Sequence, residues 1–237
     1  MTKMLDVRVI FFDAAGTLFH VKGSVGEIYS RIAVNYGIES RPDETEKLFV
    51  DAFRRKSAEG IEPEDAMVPE AAEKSWWMDI VRGVFAGRMD DLSLRAYFEE
   101  VFEFFRSAEA WELYPETRRA MKDLRSRGLR LAIISNFDSR LFDIVDNIGI
   151  GTLLENVFIS WRARAAKPDA ALFREAFEGM KVAPRHALHV GDSLREDYQG
   201  ARDAGLHAVL LDRRGFYTGG GGIPTIRSLD ELKEYFT

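Results

Sequence analysis

Residues 11–19 read FFDAAGTLF and complete a mainly apolar run that begins at Val7. A short apolar run bounded by polar or glycine residues is typical of a strand in a sheet that is covered on both faces. The pattern therefore predicts a buried strand at Val7–Phe12, with Asp13 at its end and Gly16 in the following turn. An aspartate there either caps a turn or helix, or places a carboxylate at the edge of a sheet.

More segments of the same character follow later in the chain, at Arg130–Ser135, Asn156–Ser160, Ala187–Val190 and Ala208–Asp212. Stretches with apolar residues three and four apart predict helices, at Pro115–Arg127, Arg140–Ile148, Asp169–Met180, Glu196–Ala204 and, after a glycine-rich loop at Gly219–Gly222, Leu229–Tyr235. Strands that alternate with helices predict an α/β fold, in which a doubly wound, Rossmann-like parallel sheet forms the core.

The stretch between residues 21 and 108 differs, because it lacks strand-like runs. It carries amphipathic helical patterns at Ser24–Tyr36, Asp43–Ala58, Pro69–Phe85 and Leu92–Phe105. This block predicts a helical domain at 21–108, inserted into a core domain formed by residues 1–20 and 109–237. Because open α/β sheets bind ligands beyond the carboxyl ends of their strands, we expect the insertion to lie over that edge.

Composition limits the classes of function. The chain has 237 residues, 46% of them hydrophobic, which is enough for a sizeable core. The net charge of −6 gives no electrostatic case for nucleic-acid binding. The apolar runs are too short to span a membrane, and Asp6 and Arg8 interrupt the stretch that a signal peptide would need. The absence of cysteine excludes disulfides, thiolate zinc sites and cysteine nucleophiles, and it fits the cytoplasmic location that we expect.

Polar residues of a few chemical types follow the predicted strands. Asp13, Ser135, Lys167 and Asp192 come after four of them in order, with Glu196 and Asp197 just beyond. Each has a structural explanation taken singly, but parallel strands bring all of these ends to one edge of the sheet. Carboxylate oxygens suit Mg²⁺, and a lysine with backbone N–H donors suits the charge of a transferring phosphoryl group. The set predicts a site at this edge that binds Mg²⁺ and a phosphoryl group.

The segments FFDAAGTLF, IISNFD, AAKPDAALF and HVGDSLREDYQGA resemble the four motifs of the haloacid dehalogenase-like (HAD) hydrolase superfamily. The resemblance covers nearly the whole chain and implies that the helical insertion is similar to the superfamily's C1 cap. The pair Trp76–Trp77, with SNFDSRL and DYQGARDAGL, further resembles the subgroup named haloacid dehalogenase-like hydrolase domain-containing protein 3. Taken alone, the tryptophan pair is more typical of a cap core than of a substrate site.

The resemblance also implies roles for individual residues. Asp13 matches the nucleophile that forms an aspartyl intermediate. Ser135 and the N–H of Asn136 match the groups that bind the phosphoryl group, and Lys167 matches the lysine that neutralises nucleophile and phosphate. The implied metal ligands are Asp13, the Ala15 carbonyl and Asp192, whereas Asp197 is implied to support the metal's waters or Lys167. Mg²⁺ and the lysine would offset the repulsion between an anionic nucleophile and an anionic phosphate.

Position 15 departs from the superfamily's pattern, because phosphatases of this kind usually carry a second aspartate there. Ala15 can offer a backbone carbonyl to a metal, but it cannot protonate a leaving group or activate water. General acid–base catalysis typically contributes about 10²–10⁴-fold, so slow turnover of ordinary alkyl phosphates is expected. A phosphatase would then need a good leaving group or a borrowed acid, and His20 is the nearest titratable residue, unless it simply packs.

Three other interpretations stay open. The 2-haloacid dehalogenase branch also lacks the second acid, but it replaces the metal-binding acid that Asp192 matches here. The phosphonoacetaldehyde hydrolase branch also has this alanine and uses a cap lysine as a Schiff base, for which Lys47, Lys56 and Lys74 are available without a recognisable motif. The third is a non-catalytic protein that binds a phosphorylated ligand or a partner. The sequence leaves the substrate and the oligomeric state open.

Overall fold

The computed structural model describes residue 4 and residues 6–59, 69–217 and 222–236. The chain forms two compact units, of which one comprises Met1–His20 and Leu113–Thr237 and the other Val21–Glu112. Of the glycine-rich loop predicted at Gly219–Gly222, all but Gly222 lies outside the described residues. No helix in the described ranges is long and apolar enough to cross a membrane.

The first unit contains a six-stranded parallel sheet. Its strands are β1 Val9–Phe12, β4 Arg130–Ser135, β5 Asn156–Ile159, β6 Ala187–Gly191, β7 His207–Leu211 and β8 Thr225–Ile226. They lie in the order β5-β4-β1-β6-β7-β8. The chain moves outward from β1 to β4 and β5, then crosses to the other side of β1 for the remaining strands. The winding of the chain therefore reverses between β1 and β6. Doubly wound sheets bind ligands at this point, beyond the carboxyl ends of the two strands. The predicted α/β fold is confirmed.

Strand β1 is central because all of its side chains are apolar and fully buried. It pairs with β4 on one side and β6 on the other, so that Phe12 lies beside both Ile133 and Val190. Val9 and Phe11 belong to one core cluster, in agreement with the two-residue period of a strand. Burial of such side chains contributes about 1.5–3 kcal/mol each, so this strand is firmly placed.

The helices of this unit are α5 Thr117–Ser126, α6 Arg140–Asn147, α7 Ser160–Ala163, α8 Ala170–Gly179 and α9 Gly200–Asp203. Helices α5, α6 and α8 follow the prediction with small shifts at their ends, whereas the short α7 was not predicted. Short 3₁₀ helices lie at Gly151–Leu153, Pro184–His186 and Leu229–Tyr235. The continuous helix predicted at Glu196–Ala204 is wrong in one respect. Its first part belongs to a π-helical segment, Leu194–Gln199, in which Tyr198 N–H donates to the Ser193 carbonyl (3.1 Å). The wide turn is explained by the side chain of Asp197, described below.

The second unit is helical: α1 Val25–Ala33, a 3₁₀ turn Val34–Tyr36, α2 Pro42–Glu59, α3 Pro69–Phe85, α4 Asp91–Arg106 and a 3₁₀ turn Ala108–Ala110. Its core is rich in aromatic rings, with Tyr29 and Tyr97 fully buried and 6.2 Å apart between ring centroids. Trp76 and Trp77 are partly buried and pack against this core, their rings 5.1 Å apart. Two short strands, β2 Phe19–Val21 and β3 Trp111–Leu113, were not predicted and lie where the chain passes between the units.

Candidate active site

A tight turn after β1 presents Asp13 at the carboxyl edge of the sheet. The Asp13 N–H donates to the Val190 carbonyl (2.9 Å), which continues the pairing with β6 by one residue. The Ala14 carbonyl then accepts three N–H groups, from Thr17, Leu18 and Phe19 (3.2, 2.8 and 3.3 Å). These bonds close the turn without using the carbonyl of Ala15, the group that the family resemblance assigns to a metal.

Gly16 is required in this turn for two reasons. Its φ of +90° is a conformation that residues with a side chain rarely adopt. A Cβ atom at this position would also lie 2.6 Å from Oδ2 of Asp192. The turn after β1 and the residue after β6 are therefore packed directly against each other.

Asp13 is the centre of a buried cluster of charged and polar groups. Its Oδ1 accepts from Lys167 Nζ at 2.6 Å and from Ser135 Oγ at 3.0 Å. Asp13 is 7% exposed, Ser135 3% and Lys167 4%. Three of the predicted site residues, which stand far apart in the sequence, are thus in direct contact through one carboxylate oxygen.

Lys167 is held at its backbone by the side chain of Asn136. Asn136 Nδ2 donates to the Lys167 carbonyl (3.0 Å), and the Lys167 N–H donates to Asn136 Oδ1 (2.7 Å). Nδ2 also lies 3.2 Å from Oε2 of Glu196. This side-chain role was missed by the sequence reasoning, which considered only the backbone N–H of Asn136.

The second partner of the Lys167 ammonium is Asp197, whose Oδ1 is 2.5 Å from Nζ. The same oxygen lies 2.9 Å from His189 Nε2, while Oδ2 accepts the Ser193 N–H at 2.9 Å. Asp197 is pressed against β6, since a Cβ on Gly191 would lie 2.2 Å from its carboxyl carbon. The π-helical segment delivers Asp197 to this position, as π turns often do at functional sites.

Asp13, Asp192 and Asp197 each place a carboxylate oxygen within 4.8 Å of the others. Carboxylate oxygens are the ligands that Mg²⁺ prefers, and three acids packed this closely repel one another unless a cation balances them. Asp197 already accepts from three donors, so it fits a supporting role, whereas Asp13 and Asp192 can offer oxygens directly. The donor set fits a magnesium ion.

Burial and neighbouring charges shift the pKa values of this cluster in opposite directions. Desolvation raises the pKa of Asp192 to about 6, and the negative charges of Asp13 and Asp197 add to that rise, although one side of Asp192 is open to solvent. Burial also raises the pKa of Asp13, against the effect of the Lys167 ammonium. Burial alone would lower the pKa of Lys167, but the charges of Asp13 and Asp197 outweigh it and raise the value. Lys167 is therefore a permanent cation.

The remaining candidates stand as follows. Glu196 lies at the rim of the cluster, where its Oε2 accepts a hydrogen bond from Asn136 Nδ2. His20 packs against the ring of Tyr114, with centroids 4.8 Å apart. His189 was not singled out from the sequence. Its one signal was a histidine inside the apolar strand sequence ALHVG, a pattern that equally fits a core residue.

Comparison with known proteins agrees with this fold and this set of motifs. Residues 7–205 match the haloacid dehalogenase-like hydrolase family. Because the match spans most of the chain, the protein belongs to this family of hydrolases, and the resemblance inferred from the motifs is confirmed. The chain is 33% identical over 213 residues to the mouse protein named haloacid dehalogenase-like hydrolase domain-containing protein 3, covering 89% of this chain and 84% of the mouse protein.

Solved structures share the fold at lower identity. A HAD phosphatase from Thermococcus onnurineus superposes with a TM-score of 0.68 at 22% identity, covering 96% of this chain and 97% of that one. A defluorinating L-2-haloacid dehalogenase superposes with a TM-score of 0.77 at 14% identity, covering 97% and 95%. Both a phosphatase and a dehalogenase therefore have this fold, and the choice between their chemistries depends on the site residues.

Proposed function

We propose that the protein is a magnesium-dependent phosphatase that acts on a small phosphorylated metabolite through an aspartyl-phosphate at Asp13. The observation that carries this proposal is the contact of Asp13 Oδ1 with Lys167 Nζ (2.6 Å) and Ser135 Oγ (3.0 Å). Both donors reach the same oxygen, so the carboxylate is fixed in orientation. Among the described residues no group donates a hydrogen bond to Asp13 Oδ2, which leaves that oxygen available to attack phosphorus or to bind a metal.

In the first step a carboxylate oxygen of Asp13 attacks phosphorus, and the ester P–O bond breaks as the leaving group departs with its electron pair. Lys167 balances the negative charge on Asp13 and the incoming phosphoryl oxygens, and Ser135 Oγ with the Asn136 N–H binds those oxygens. In the second step water attacks phosphorus, the P–O bond to Asp13 breaks and inorganic phosphate is released. Asp13 and Asp192, with the Ala15 carbonyl, would hold Mg²⁺, which supplies positive charge to the phosphoryl group when bound.

Both steps require the transfer of a proton, and the turn after β1 has Ala15 where an acidic side chain could carry it. The leaving oxygen must gain a proton, and Ala15 cannot donate one, so we propose that the natural leaving group needs little protonation or that the acid comes from the cap or the substrate. The attacking water must lose a proton, which passes to an oxygen of the phosphate as the phosphate is released. We further propose that the helical unit Val21–Glu112 acts as a C1-type cap that selects the substrate, because it is inserted directly after the nucleophile's strand and turn. The lack of cysteine supports a cytoplasmic setting.

The test is a screen of aryl and alkyl phosphates with Mg²⁺, comparing the native protein with Asp13→Asn. We expect release of phosphate by the native protein, none by the variant, and a covalent phosphate adduct on Asp13 after acid quench. Asp123→Asn is the matched control, because the Asp123 carboxylate is exposed and pairs with Arg127 at the end of α5, outside the cluster. Phosphate release that survives Asp13→Asn would refute the nucleophile assignment.

Ala15 itself favours a second candidate, a protein that binds a phosphorylated ligand without turning it over. Binding of phosphate esters by calorimetry without phosphate release would select it. Halide release from 2-chloropropionate in the absence of Mg²⁺ would instead select dehalogenase chemistry. The acidic pair Asp192 and Asp197 argues against that outcome, since it would repel a carboxylate substrate.

A further inference from the structure

A histidine is buried beneath the candidate active site without a role in the steps above. His189 stands in the middle of β6 with no exposed surface. The ring of Phe173 packs edge-on against it, with centroids 5.3 Å apart at an interplanar angle of 88°. An aliphatic residue would fill this place in the core without any cost of burying a polar ring.

One ring nitrogen of His189 has a partner and the other has none. Nε2 lies 2.9 Å from Oδ1 of Asp197, whereas Nδ1 is buried without a hydrogen-bond partner in the part of the chain that the structure describes. A carboxylate can only accept, so the hydrogen-bond network assigns the proton to Nε2. A proton on Nδ1 would be buried without an acceptor, so the ring is neutral. Burial also lowers the pKa of His189, in agreement with this assignment.

We propose that His189 is a positioning residue: as a neutral imidazole it donates Nε2–H to Asp197 and thereby holds Asp197 in the orientation that binds Lys167 beside Asp13. His189 and Gly191 stand two residues apart and so face the same side of β6. Gly191 makes room for the Asp197 carboxyl, with a Cβ-to-carbon distance of only 2.2 Å if it carried a side chain, and His189 supplies the donor.

The neutrality of the ring is what makes this arrangement useful. Asp197 Oδ1 accepts from both His189 (2.9 Å) and Lys167 (2.5 Å). A charged imidazole would compete with the lysine for the negative charge of Asp197, whereas a neutral one fixes the carboxylate and leaves its charge to Lys167. Residues that orient a group in contact with the reacting atoms typically change activity by about 10–100-fold when they are removed.

The first test does not need activity. Nitrogen-15 chemical shifts of the histidine rings in the native protein should identify His189 as the neutral Nε2–H tautomer. A ring found with its proton on Nδ1, or on both nitrogens, would overturn the proposal. This measurement stands even if the protein turns over no phosphate ester, so failure of the proposed function can be told apart from failure of the positioning role.

The second test rests on the proposed phosphatase activity and compares two variants. His189→Leu removes the donor, and His189→Gln can retain it, because the glutamine Nε2 reaches about as far as the imidazole Nε2. We expect kcat for an aryl phosphate to fall about 10–100-fold in the leucine variant with little change in KM, and to recover most of that loss in the glutamine variant. His207→Leu is the control, since His207 bonds the Arg185 carbonyl at the other end of the sheet.

Two results would contradict the role. Native kcat in folded His189→Leu shows that Asp197 needs no such donor. Equal losses in the leucine and glutamine variants, with matching losses of stability, show a packing role only. A crystal structure of His189→Leu should show the Asp197 carboxyl turned away from Lys167, and an unchanged carboxyl would argue against the proposal whatever the kinetics.

Discussion

Asn136 binds the backbone of Lys167 through both atoms of its amide, at 3.0 Å from Nδ2 to the carbonyl and 2.7 Å from the N–H to Oδ1. Lys167 stands in the loop after α7, where neither a helix nor a strand would hold it. The amide therefore replaces regular secondary structure as the device that fixes the lysine opposite Asp13. Ser135, directly before Asn136 at the end of β4, donates to the same Asp13 oxygen as Lys167, so one short segment places both donors at the nucleophile.

Replacing Asn136 by alanine should therefore displace Lys167 without removing any charge. We expect the free energy of unfolding to fall by about 1–3 kcal/mol for the two hydrogen bonds lost to the Lys167 backbone and the one lost to Glu196, and phosphatase activity to fall more than this loss of stability explains. Urea unfolding and steady-state kinetics measure the two effects. Asn156→Ala is the control, because the exposed Asn156 side chain accepts the neighbouring N–H of Val157 and lies outside the cluster. Full activity of Asn136→Ala would show that Lys167 is held by its salt bridges alone.

The sequence predicted the sheet and most of the cluster for one physical reason. Continuous apolar runs such as Arg130–Ser135 report burial on both faces, and the residues that end them necessarily meet at one edge of a parallel sheet. Asp13 and Ser135 could be placed together on that basis. The π-helical segment could not, because its wide turn depends on the fit of Asp197 against Gly191, a contact that periodicity does not encode.

The roles of His189 and Asn136 were hidden for a different reason. A histidine within an apolar strand has the same pattern whether its ring is simply packed or donates to a carboxylate. Likewise, the backbone N–H and the side chain of Asn136 make different contacts, and the sequence does not separate them. Tertiary contacts at atomic distance decide such roles.

Gly16→Ala should weaken metal binding. A methyl group at this position, which has φ +90°, would lie 2.6 Å from Oδ2 of Asp192, so the carboxylate must move. Gly128→Ala is a matched control, because Gly128 has φ +84° and no atom within 4 Å of the added carbon. Both changes should cost about 1–2 kcal/mol of stability for the left-handed backbone. Only Gly16→Ala should bind Mg²⁺ more weakly, as measured by titration calorimetry. Equal Mg²⁺ affinities in the two variants would show that Asp192 is not a metal ligand.

The partly buried ion pair of Glu116 and Arg213 predicts a dependence of stability on pH. Arg213 Nη1 lies 2.6 Å from Glu116 Oε1, and Arg213 Nη2 donates to the Thr17 carbonyl at 2.7 Å, which ties the turn after β1 to α5. Burial alone would raise the pKa of Glu116, but the hydrogen bond and charge of Arg213 outweigh it and lower the pKa below its ordinary 4.5.

Because the folded-state pKa is the lower one, the stabilisation is complete above pH 4.5 and is lost as the pH falls through the folded value. Glu116→Gln should therefore be less stable than the native protein by about 1–3 kcal/mol near neutral pH, and this difference should shrink in acid. Urea unfolding across that range measures it. Glu178→Gln, on the exposed side of α8, should show a small difference without such a trend. A Glu116→Gln difference that stays constant into acid would mean that the ion pair contributes nothing.

Ala15→Asp should restore the acid that the turn after β1 lacks. The leaving group of an alkyl phosphate needs a proton and that of an aryl phosphate needs it far less, so the gain should be greatest for alkyl esters. The gain in turnover should be at most the usual contribution of general acid catalysis, about 10²–10⁴-fold. The turn should tolerate the change. Ala15 is only partly buried, and the N–H groups of the turn bond the Ala14 carbonyl, which the substitution does not alter. Ala15→Asn has the same shape without the proton and should give no gain. If both variants, or both classes of ester, respond equally, proton transfer at position 15 does not limit turnover, and a source of the proton outside this turn must be sought.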